Sequence, residues 1–433
     1  MKLKKLTALF LAAAMVFGLA ACGGDKEKEA DTQTKAPATE GAKETKGADA
    51  ETKSEGGEAA ANGETFKLGA FLQLTGANSV AGNESNNTLD IAIDYINENG
   101  GFNGAKIEKV VYDSQGSPEE AVKVVSKLIN DDKVDAIMGS VNSSEILAAG
   151  QQVNDAGVFM MGLGTANTWM AEDWPYVFRA TVNNANLATN TVEMIKEAGY
   201  TTVAVSNGQD DASLSTADAF VKLCEEQNVE VVARETYAMS DSDFSAQVAK
   251  IIAADPECVY MTNSGEHIGP FVKQLRQGGY KGVLFSKEIM SMRDANIAGD
   301  DNAKYVAASY PYLIYATIDD CDVEPIKEVL KRYEERYGEI PTTEVIYRVW
   351  DTMMVMWEAT KIAGSNESDA LKDAMPQVKV DGLGGPLTYD DGTREGYHTS
   401  NNWIYVGGGK NKDFTTWLAE DYDTYKSETG RDK

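Results

Sequence analysis

The residue with the most distinctive chemistry near the start of the chain is Cys22, whose thiol follows the small-residue segment Leu19–Ala21. A basic segment, Lys2–Lys5, comes first, and an apolar run over Leu11–Val16 follows it. This order is typical of a bacterial lipoprotein signal, in which the chain is cleaved before the cysteine and the sulfur carries lipid. The alternative, a transmembrane helix, is disfavoured because the apolar run is too short to span a bilayer. We therefore expect a signal peptide over residues 1–21 and a mature protein that is lipid-anchored to the bacterial membrane, at the cell surface or in the periplasm.

Residues that could perform catalysis are sparse. The sequence has no Gly-x-Ser-x-Gly, Gly-x-x-x-x-Gly-Lys or His-Glu-x-x-His motif, and it contains only two histidines, His267 and His398. Three further thiols lack the Cys-x-x-Cys spacing of a zinc or redox site, although one disulfide among them stays open: Cys224, Cys258 and Cys321. We expect a protein that binds its ligand without transforming it and that uses no cofactor and no metal.

The charge of the chain narrows the range of partners. Its 433 residues include 68 acidic and 40 basic side chains, which gives a formal net charge of −28. Such acidity argues against nucleic acid, which needs a basic footprint, and against broad adhesion to anionic lipid headgroups. The simplest reading of the acidity is solubility, so membrane attachment should come from the lipid on Cys22.

The length allows two ordinary domains and a tail. Residues 22–64 are rich in Ala, Gly, Thr, Glu and Lys and nearly free of large apolar side chains. Such a segment buries too little surface to offset the entropy of ordering it. We expect a disordered spacer between the lipidated cysteine and the folded body.

From residue 65 onward, short apolar runs alternate with helical patterns, and this series occurs twice. The first predicted strands are Phe66–Leu72, Ile107–Tyr112, Val134–Met138 and Gly157–Met161, and the second are Val203–Val205, Val229–Ala233, Cys258–Met261 and Val283–Phe285. A strand-like pair is predicted near Gly385–Tyr389 and Asn402–Val406. The alternation predicts an α/β protein with two Rossmann-like lobes, each a parallel sheet flanked by helices.

Ligands of open parallel sheets bind beyond the carboxyl ends of the strands. The candidate binding loops are therefore Gln73–Glu84, Ser140–Glu145, Gly162–Trp169, Asn207–Ser213, Asn263–His267 and Ser286–Met292. Most are rich in Ser, Asn, Thr or Gly, which can offer hydroxyl and amide groups to a ligand. The same residues also serve as ordinary helix caps, and one residue can do both.

Several motifs carry a family resemblance when taken in order. They are Leu74-Thr75-Gly76, the Asn-x-x-Gly-Gly-x-x-Gly-type segment Asn97–Gly104, Tyr112-Asp113, Ser117–Ala121, Gly139, Ser143-Ser144, Asn296–Gly299 and Gly385–Asp390. With these motifs in this order, the chain resembles, over nearly all of residues 66–406, the solute-binding lipoproteins of branched-chain-amino-acid-type ABC transporters, which have the type I periplasmic-binding-protein fold.

The resemblance implies two lobes that close by a hinge around a small ligand. It places three crossing segments near Ala180–Asn183, Ala308–Pro311 and Tyr397–Asn401. The N-terminal lobe then comprises residues 65–182 plus 310–398, and the C-terminal lobe residues 183–309 plus 399–433. It further implies a monomer that binds an amino acid and delivers it to an ABC permease. A ligand-sensing subunit of a receptor, or a binder of another small solute such as an amide or carboxylate, is the alternative.

Residue roles follow from the resemblance where the motifs align. Ser143 corresponds to the serine that binds the ligand carboxylate, and Gly164 and Thr165 lie in the loop that supplies backbone groups and a hydroxyl. Glu288 corresponds to the acid that pairs with the ligand ammonium. The alternatives are a plain helix cap for Ser143, a surface acid for Glu288 and a one-residue shift at Thr165.

Ligand specificity departs from the family pattern. Ala81, Asp211 and Ser264 stand where leucine-like binders place tyrosines, so branched-chain specificity does not follow. Asp211 suits a polar, amide or cationic ligand group, or else it caps the helix that begins nearby. The remaining candidates for the pocket are Asn142, Asn167 and Trp169. Tyr347 and Trp350 could add aromatic walls, but residues at their helical spacing more often belong to the core.

Overall fold

The computed structural model describes residues 64–263, 265–398 and 400–431 of the chain. The predicted signal peptide, Cys22 and nearly all of the predicted spacer lie outside these residues, as does Ser264. None of the helices in the described part of the chain combines the length and the apolar character that a membrane crossing requires.

Two sheets organise the described residues. The first is wholly parallel with strand order β2-β1-β3-β4-β5, and its strands are β1 (Thr65–Leu72), β2 (Lys106–Asp113), β3 (Ala136–Gly139), β4 (Phe159–Gly162) and β5 (Val177–Arg179). The second has the order β14-β13-β10-β9-β8-β6-β7, and its strands are β6 (Thr202–Gly208), β7 (Glu230–Tyr237), β8 (Cys258–Met261), β9 (Leu284–Ser286), β10 (Val306–Tyr310), β13 (Asn401–Gly407) and β14 (Lys410–Asp413). Strands β6 to β10 pair in parallel, whereas β13 and β14 are antiparallel.

Helices cover these sheets. They are α1 (Ser79–Glu98), α2 (Pro118–Lys127), α3 (Ser143–Asp155), α4 (Asn184–Glu197), α5 (Asp211–Gln227), α6 (Ser245–Ala253), α7 (Ile268–Gln277), α8 (Met292–Ala298), α9 (Asp300–Ala303), α10 (Glu324–Tyr337), α11 (Val345–Ala363), α12 (Ser368–Ala374), α13 (Phe414–Glu420) and α14 (Tyr422–Thr429). Parallel sheets with helices packed against them are the α/β architecture that the alternating pattern predicts, so the predicted fold class is confirmed.

Local sequence signals fix several helix ends. Ser117 caps α2 by accepting a hydrogen bond from the Glu120 amide at 3.3 Å, and Pro118 occupies the first helical position. After α1 the chain turns at Gly101, where φ is +67° and a Cβ would lie 2.1 Å from the Ala105 carbonyl oxygen. Only glycine fits this turn, because both the backbone conformation and the available space exclude a side chain.

Two expectations at the edges of the fold need correction. The predicted loop over residues 73–84 is helical from Ser79 onward. The two strands predicted near Gly385–Tyr389 and Asn402–Val406 exist, but they do not pair. Strand β12 (Gly385–Thr388) pairs with β11 (Lys379–Gly382) in a separate two-stranded sheet, whereas β13 pairs with β10 and β14. The hydrophobic pattern shows that a strand forms, but its partner depends on distant segments.

The chain passes between the two sheets three times. It leaves β5 at Arg179 and enters α4 at Asn184, returns after β10 at Tyr310, and crosses again between Tyr397 and Asn401. After the second crossing, Tyr312 and Ile314 join the apolar cluster that contains α1 and α11. The three cysteines in the described residues are free and buried, so the disulfide that the sequence left open is absent among them.

A buried carboxylate ties two of these crossings together. Asp351 on α11 accepts hydrogen bonds at Oδ2 from the hydroxyls of Tyr312 (3.2 Å) and Tyr397 (2.5 Å), and at Oδ1 from the Leu383 amide (2.9 Å). Burial raises the pKa of Asp351 to about 6, although the bonds from Tyr397, Leu383 and Tyr312 act to lower it. The surroundings of Asp351 therefore make its ionised form less favourable than it is in water.

We expect this carboxylate to make the folded state more stable as the pH falls from 7 to 4. Its folded-state pKa of about 6 lies above the value of about 3.9 for an unfolded aspartate, so the folded state binds the proton first. Relative to the variant Asp351→Asn, the wild-type protein should gain about 2 kcal/mol in free energy of unfolding across this range. Chemical denaturation of both proteins at several pH values measures the difference. A difference that does not change with pH would contradict the expectation.

Candidate functional site

The loops at the carboxyl ends of both sheets enclose one cavity of about 410 Å³. The first sheet contributes residues after β1, β2, β3 and β4, among them Gln73, Gln115, Asn142 and Thr165. The second contributes residues after β6, β7, β8 and β9, and Thr343 to Arg348 add a further wall beside α11. Helices α3 and α5, which belong to opposite lobes, approach within contact distance of each other. This volume lies within the range of about 300–1,000 Å³ that is usual for small-molecule sites.

The start of α3 provides polar groups on the wall formed by the first lobe. Asn142 is the residue that caps this helix, since its Oδ1 accepts from the Ser144 amide at 3.1 Å and from the Ser144 hydroxyl at 2.8 Å. Ser143 is the first helical residue, so the alternative role as the helix cap is wrong for Ser143. Its buried Oγ accepts a hydrogen bond from the Ala166 amide at 3.1 Å. Because this bond uses the oxygen as acceptor, the hydroxyl hydrogen can be donated to a ligand.

The loop after β4 lies directly against Ser143. A Cβ at Gly164 would sit 2.5 Å from Ser143 Oγ, so the glycine allows the two segments to touch. The next residue, Thr165, is 4% exposed and lines the cavity together with Ser143 and Asn142. The helix start and the glycine loop are therefore brought together as one polar, donor-bearing wall.

Glu288 stands on the opposite wall, after β9. Its carboxylate lies 3.1 Å from the ammonium of Lys287, and both residues line the cavity. The Lys287 side chain is 1% exposed and that of Glu288 is 20% exposed. Glu288 is therefore an acid of the cavity wall, and its description as an ordinary surface acid is wrong.

The predicted specificity residues have different outcomes. Ala81 lines the cavity. Asp211 is the first residue of α5, but the residue that caps this helix is Asp210, whose Oδ1 accepts from the Ser213 amide at 2.9 Å. The alternative role of Asp211 as the helix cap is therefore wrong. Asp210, which the sequence reading passed over, lines the cavity.

Three aromatic candidates lie in the core and do not line the cavity. Trp169 is fully buried among apolar side chains, and Arg179 Cζ lies 5.2 Å from the centroid of its ring. The ring centroids of Tyr347 and Tyr312 are 5.2 Å apart, and Trp350 belongs to the apolar cluster that contains both tyrosines. Asn167 is half-buried and is not among the residues that line the cavity. No aromatic residue is found among the described residues that line the cavity.

A buried ion pair beside the cavity was missed by the sequence reading. Arg348 donates hydrogen bonds to the Glu344 carboxylate, to the Tyr310 hydroxyl at the end of β10 and to the Leu163 carbonyl at 3.2 Å. Burial acts to lower the pKa of Arg348, but Glu344 and Tyr310 raise it well above its ordinary value, so the guanidinium stays charged. Because Leu163 precedes Gly164, the pair connects the predicted ligand loop to a crossing segment. The i, i+4 spacing of Glu344 and Arg348 was the available signal.

Comparisons with known proteins agree with this two-lobed, cavity-forming architecture. The family model of the periplasmic binding proteins matches residues 65–407. The Leu/Ile/Val-binding protein homolog 1 of Brucella abortus is 26% identical over 331 residues, which is 75% of this chain and 86% of that protein. The leucine-, isoleucine-, valine-, threonine- and alanine-binding protein of Pseudomonas aeruginosa is 23% identical over 76% of this chain and 86% of its own length.

Solved structures show the same fold. A leucine binding protein from Thermotoga maritima superposes with a TM-score of 0.71 at 22% identity, over 81% of this chain and 97% of that one. A solute binding protein from R. palustris in complex with benzoate gives a TM-score of 0.72 at 21% identity, over 81% of this chain and 95% of that one.

The fold and the cavity between its lobes are thus those of a two-lobed solute-binding protein. The chain belongs to the periplasmic binding protein family. Its relatives and its fold are those of substrate-binding proteins and not of enzymes. The family is extracytoplasmic, binds small molecules and works with ABC transporter permeases.

Proposed function

We propose that this protein is the lipid-anchored binding component of an ABC importer, and that it carries an amino acid in the cavity between its lobes to the membrane permease. The anchor would be the lipid on Cys22. The observation that carries the proposal is the opposition of Ser143, Asn142 and Thr165 on one wall to Glu288 on the other. A helix start with hydroxyl donors suits a carboxylate, and a carboxylate suits an ammonium group.

The proposed binding couples ligand capture to lobe closure. A ligand whose carboxylate is held after β3 and β4 and whose ammonium is held after β9 contacts both lobes at once. Such a ligand binds the closed arrangement more tightly than an open one and so increases the closed population. In this proposal the protein acts as a monomer. It closes around one ligand and presents the closed form to the permease.

Direct binding tests this function. Purified protein is titrated calorimetrically with α-amino acids and, separately, with benzoate and with amides that lack an α-amino acid group. Binding of an α-amino acid, lost when its carboxylate or its ammonium is blocked, supports the proposal. Binding of benzoate or a simple amide with no amino acid bound would overturn it.

The Ser143 hydroxyl gives a residue-level prediction. Ser143→Ala removes the donor to the ligand carboxylate and should weaken amino-acid binding about tenfold, the value of roughly one charge-assisted hydrogen bond. Ser117→Ala is the matched control, since this serine also stands at a helix start but caps α2 and does not itself line the cavity. It should lower stability by about 1 kcal/mol and leave affinity unchanged. Equal affinities for wild type and Ser143→Ala would exclude the assigned role.

A further inference from the structure

The wall of the cavity is unusually acidic for a site that holds a neutral amino acid. Five acidic side chains line it, namely Asp210, Glu266, Glu288, Asp294 and Glu344. The basic side chains of the wall are Lys287, Arg293 and Arg348, which leaves a formal excess of two negative charges among the described lining residues. Each of these cations has an acid beside it: Lys287 pairs with Glu288, Arg293 lies 3.4 Å from Glu266, and Arg348 pairs with Glu344.

The described cavity wall also has more unpartnered hydrogen-bond acceptors than unpartnered donors. Among the described residues, four oxygens of cavity-lining side chains are buried without a hydrogen-bond partner, and they belong to Gln73, Asp210, Asp294 and Glu344. The one unpartnered donor atom found on this wall of described residues is Arg348 Nε. Three of the four acceptor residues are at least nine-tenths buried: Gln73 is 1% exposed, and Asp294 and Glu344 are each 5% exposed. Among the buried unpartnered atoms of this wall, hydrogen-bond acceptors therefore outnumber donors.

The orientation of these groups is set by the bonds they already make. Gln73 has its Oε1 buried without a hydrogen-bond partner. Asp210 uses Oδ1 to cap α5, which leaves Oδ2. Asp294 accepts from the Ser291 hydroxyl at Oδ2, and its Oδ1 lies 3.7 Å from Arg293 without a hydrogen bond.

Closing this cavity on a purely apolar side chain would leave buried carboxylate oxygens without donors, which is costly. One α-ammonium group cannot satisfy acceptors on both lobes, and Glu288 is already placed to receive it. Resting on the function proposed above, we infer that the ligand is an α-amino acid whose side chain ends in a hydrogen-bond-donating nitrogen group, an amine or a carboxamide, and that Asp210 receives this group. The described wall also lacks aromatic side chains, which disfavours an aromatic ligand side chain.

Matched ligand pairs test the inference on the purified protein. L-lysine is compared with L-norleucine, which has the same number of carbon atoms without the amine, and L-glutamine is compared with L-glutamate. We expect the nitrogen-bearing member of at least one pair to bind tenfold or more tightly than its partner. The inference would be overturned if norleucine bound as tightly as lysine and glutamate bound as tightly as glutamine. That result would leave the proposed function intact. Absence of binding by every α-amino acid would instead remove the proposed function itself.

A substitution assigns the effect to Asp210. Asp210→Asn keeps an N-cap oxygen and nearly the same volume, so α5 should remain formed. It should weaken the preferred nitrogen-bearing ligand at least tenfold and change norleucine binding less than twofold. Asp413→Asn is the control, because Asp413 caps α13 in the same way through the Thr416 amide at 2.8 Å and does not line the cavity. An unchanged ligand preference in Asp210→Asn, with circular dichroism showing an intact fold, would exclude this aspartate.

Discussion

Replacing Arg348 by methionine should lower the free energy of unfolding by about 3–5 kcal/mol. The arginine side chain is 3% exposed and that of its partner Glu344 is 6% exposed, so the substitution leaves a carboxylate buried without its cation. It also removes the donors to Tyr310 and to the Leu163 carbonyl. Urea denaturation of wild type and variant measures the loss through the midpoint at constant m-value.

A half-buried arginine whose carboxylate partners are exposed to solvent is the matched control. Arg332 pairs with Glu98 and with Glu328 on α10, and its side chain is 27% exposed. Arg332→Met should therefore cost less than about 1 kcal/mol, since solvent screens the pairs. The double variant Arg348→Met with Glu344→Leu should recover part of the loss, because it removes the stranded charge. A cost below about 1 kcal/mol for Arg348→Met alone would show that water reaches Glu344 and that the pair is not buried in solution.

The α/β fold was predictable from the sequence because its signals are local. The strands predicted for both sheets are short apolar runs, and α7 buries residues at helical spacing, namely Ile268, Phe271, Val272 and Leu275. The hydrophobic pattern predicted less about segments whose length or strand pairing depends on other parts of the chain. Strand β5 has only three residues, and β12 and β13 each pair with a partner that alternation alone does not specify.

The candidate site was predictable at the level of loops, because parallel strands bring their carboxyl ends to one edge. Ser143, Thr165 and Glu288 all line the one cavity that these loops form, and their binding roles stay predictions. The alternative cap roles of Ser143 and Asp211 are wrong by one position, because a neighbouring residue of similar chemistry caps each helix. The caps of α3 and α5 are Asn142 and Asp210, each one residue before the residue considered from sequence.

The charged wall beside α11 was hidden for a different reason. Glu344 directly precedes α11 and Arg348 lies in its first turn, within a helix whose sequence is typical of a core helix, and their partners Tyr310 and Leu163 are distant in the chain. A buried arginine becomes apparent only when the surrounding carbonyl and carboxylate groups are placed around it. Long-range polar contacts of this kind follow from packing, which periodicity does not encode.

Replacing Gly164 by alanine should weaken amino-acid binding by about 10–100-fold, which corresponds to about 1–3 kcal/mol. The added Cβ would lie 2.5 Å from Ser143 Oγ, 3.0 Å from Ile146 Cδ1 and 3.1 Å from Ser143 Cα. These neighbours belong to α3, which is packed against the sheet, so the loop after β4 must move instead. That movement displaces Thr165 from the wall it shares with Ser143 and breaks the Ala166-to-Ser143 hydrogen bond of 3.1 Å.

A double-mutant cycle separates this steric effect from a general loss of stability. In a Ser143→Ala background the nearest clashing atom is gone, so Gly164→Ala should cost less affinity there than in wild type. The two substitutions should therefore be non-additive, with calorimetric dissociation constants for all four proteins as the measurement. Additive losses would mean that the two segments do not touch in the ligand-binding state. The glycine loop and the helix start would then not act as one site. Non-additivity with a preserved unfolding transition would place the contact between Ser143 and Gly164 inside the site, because a fold-level defect would lower affinity equally in both backgrounds.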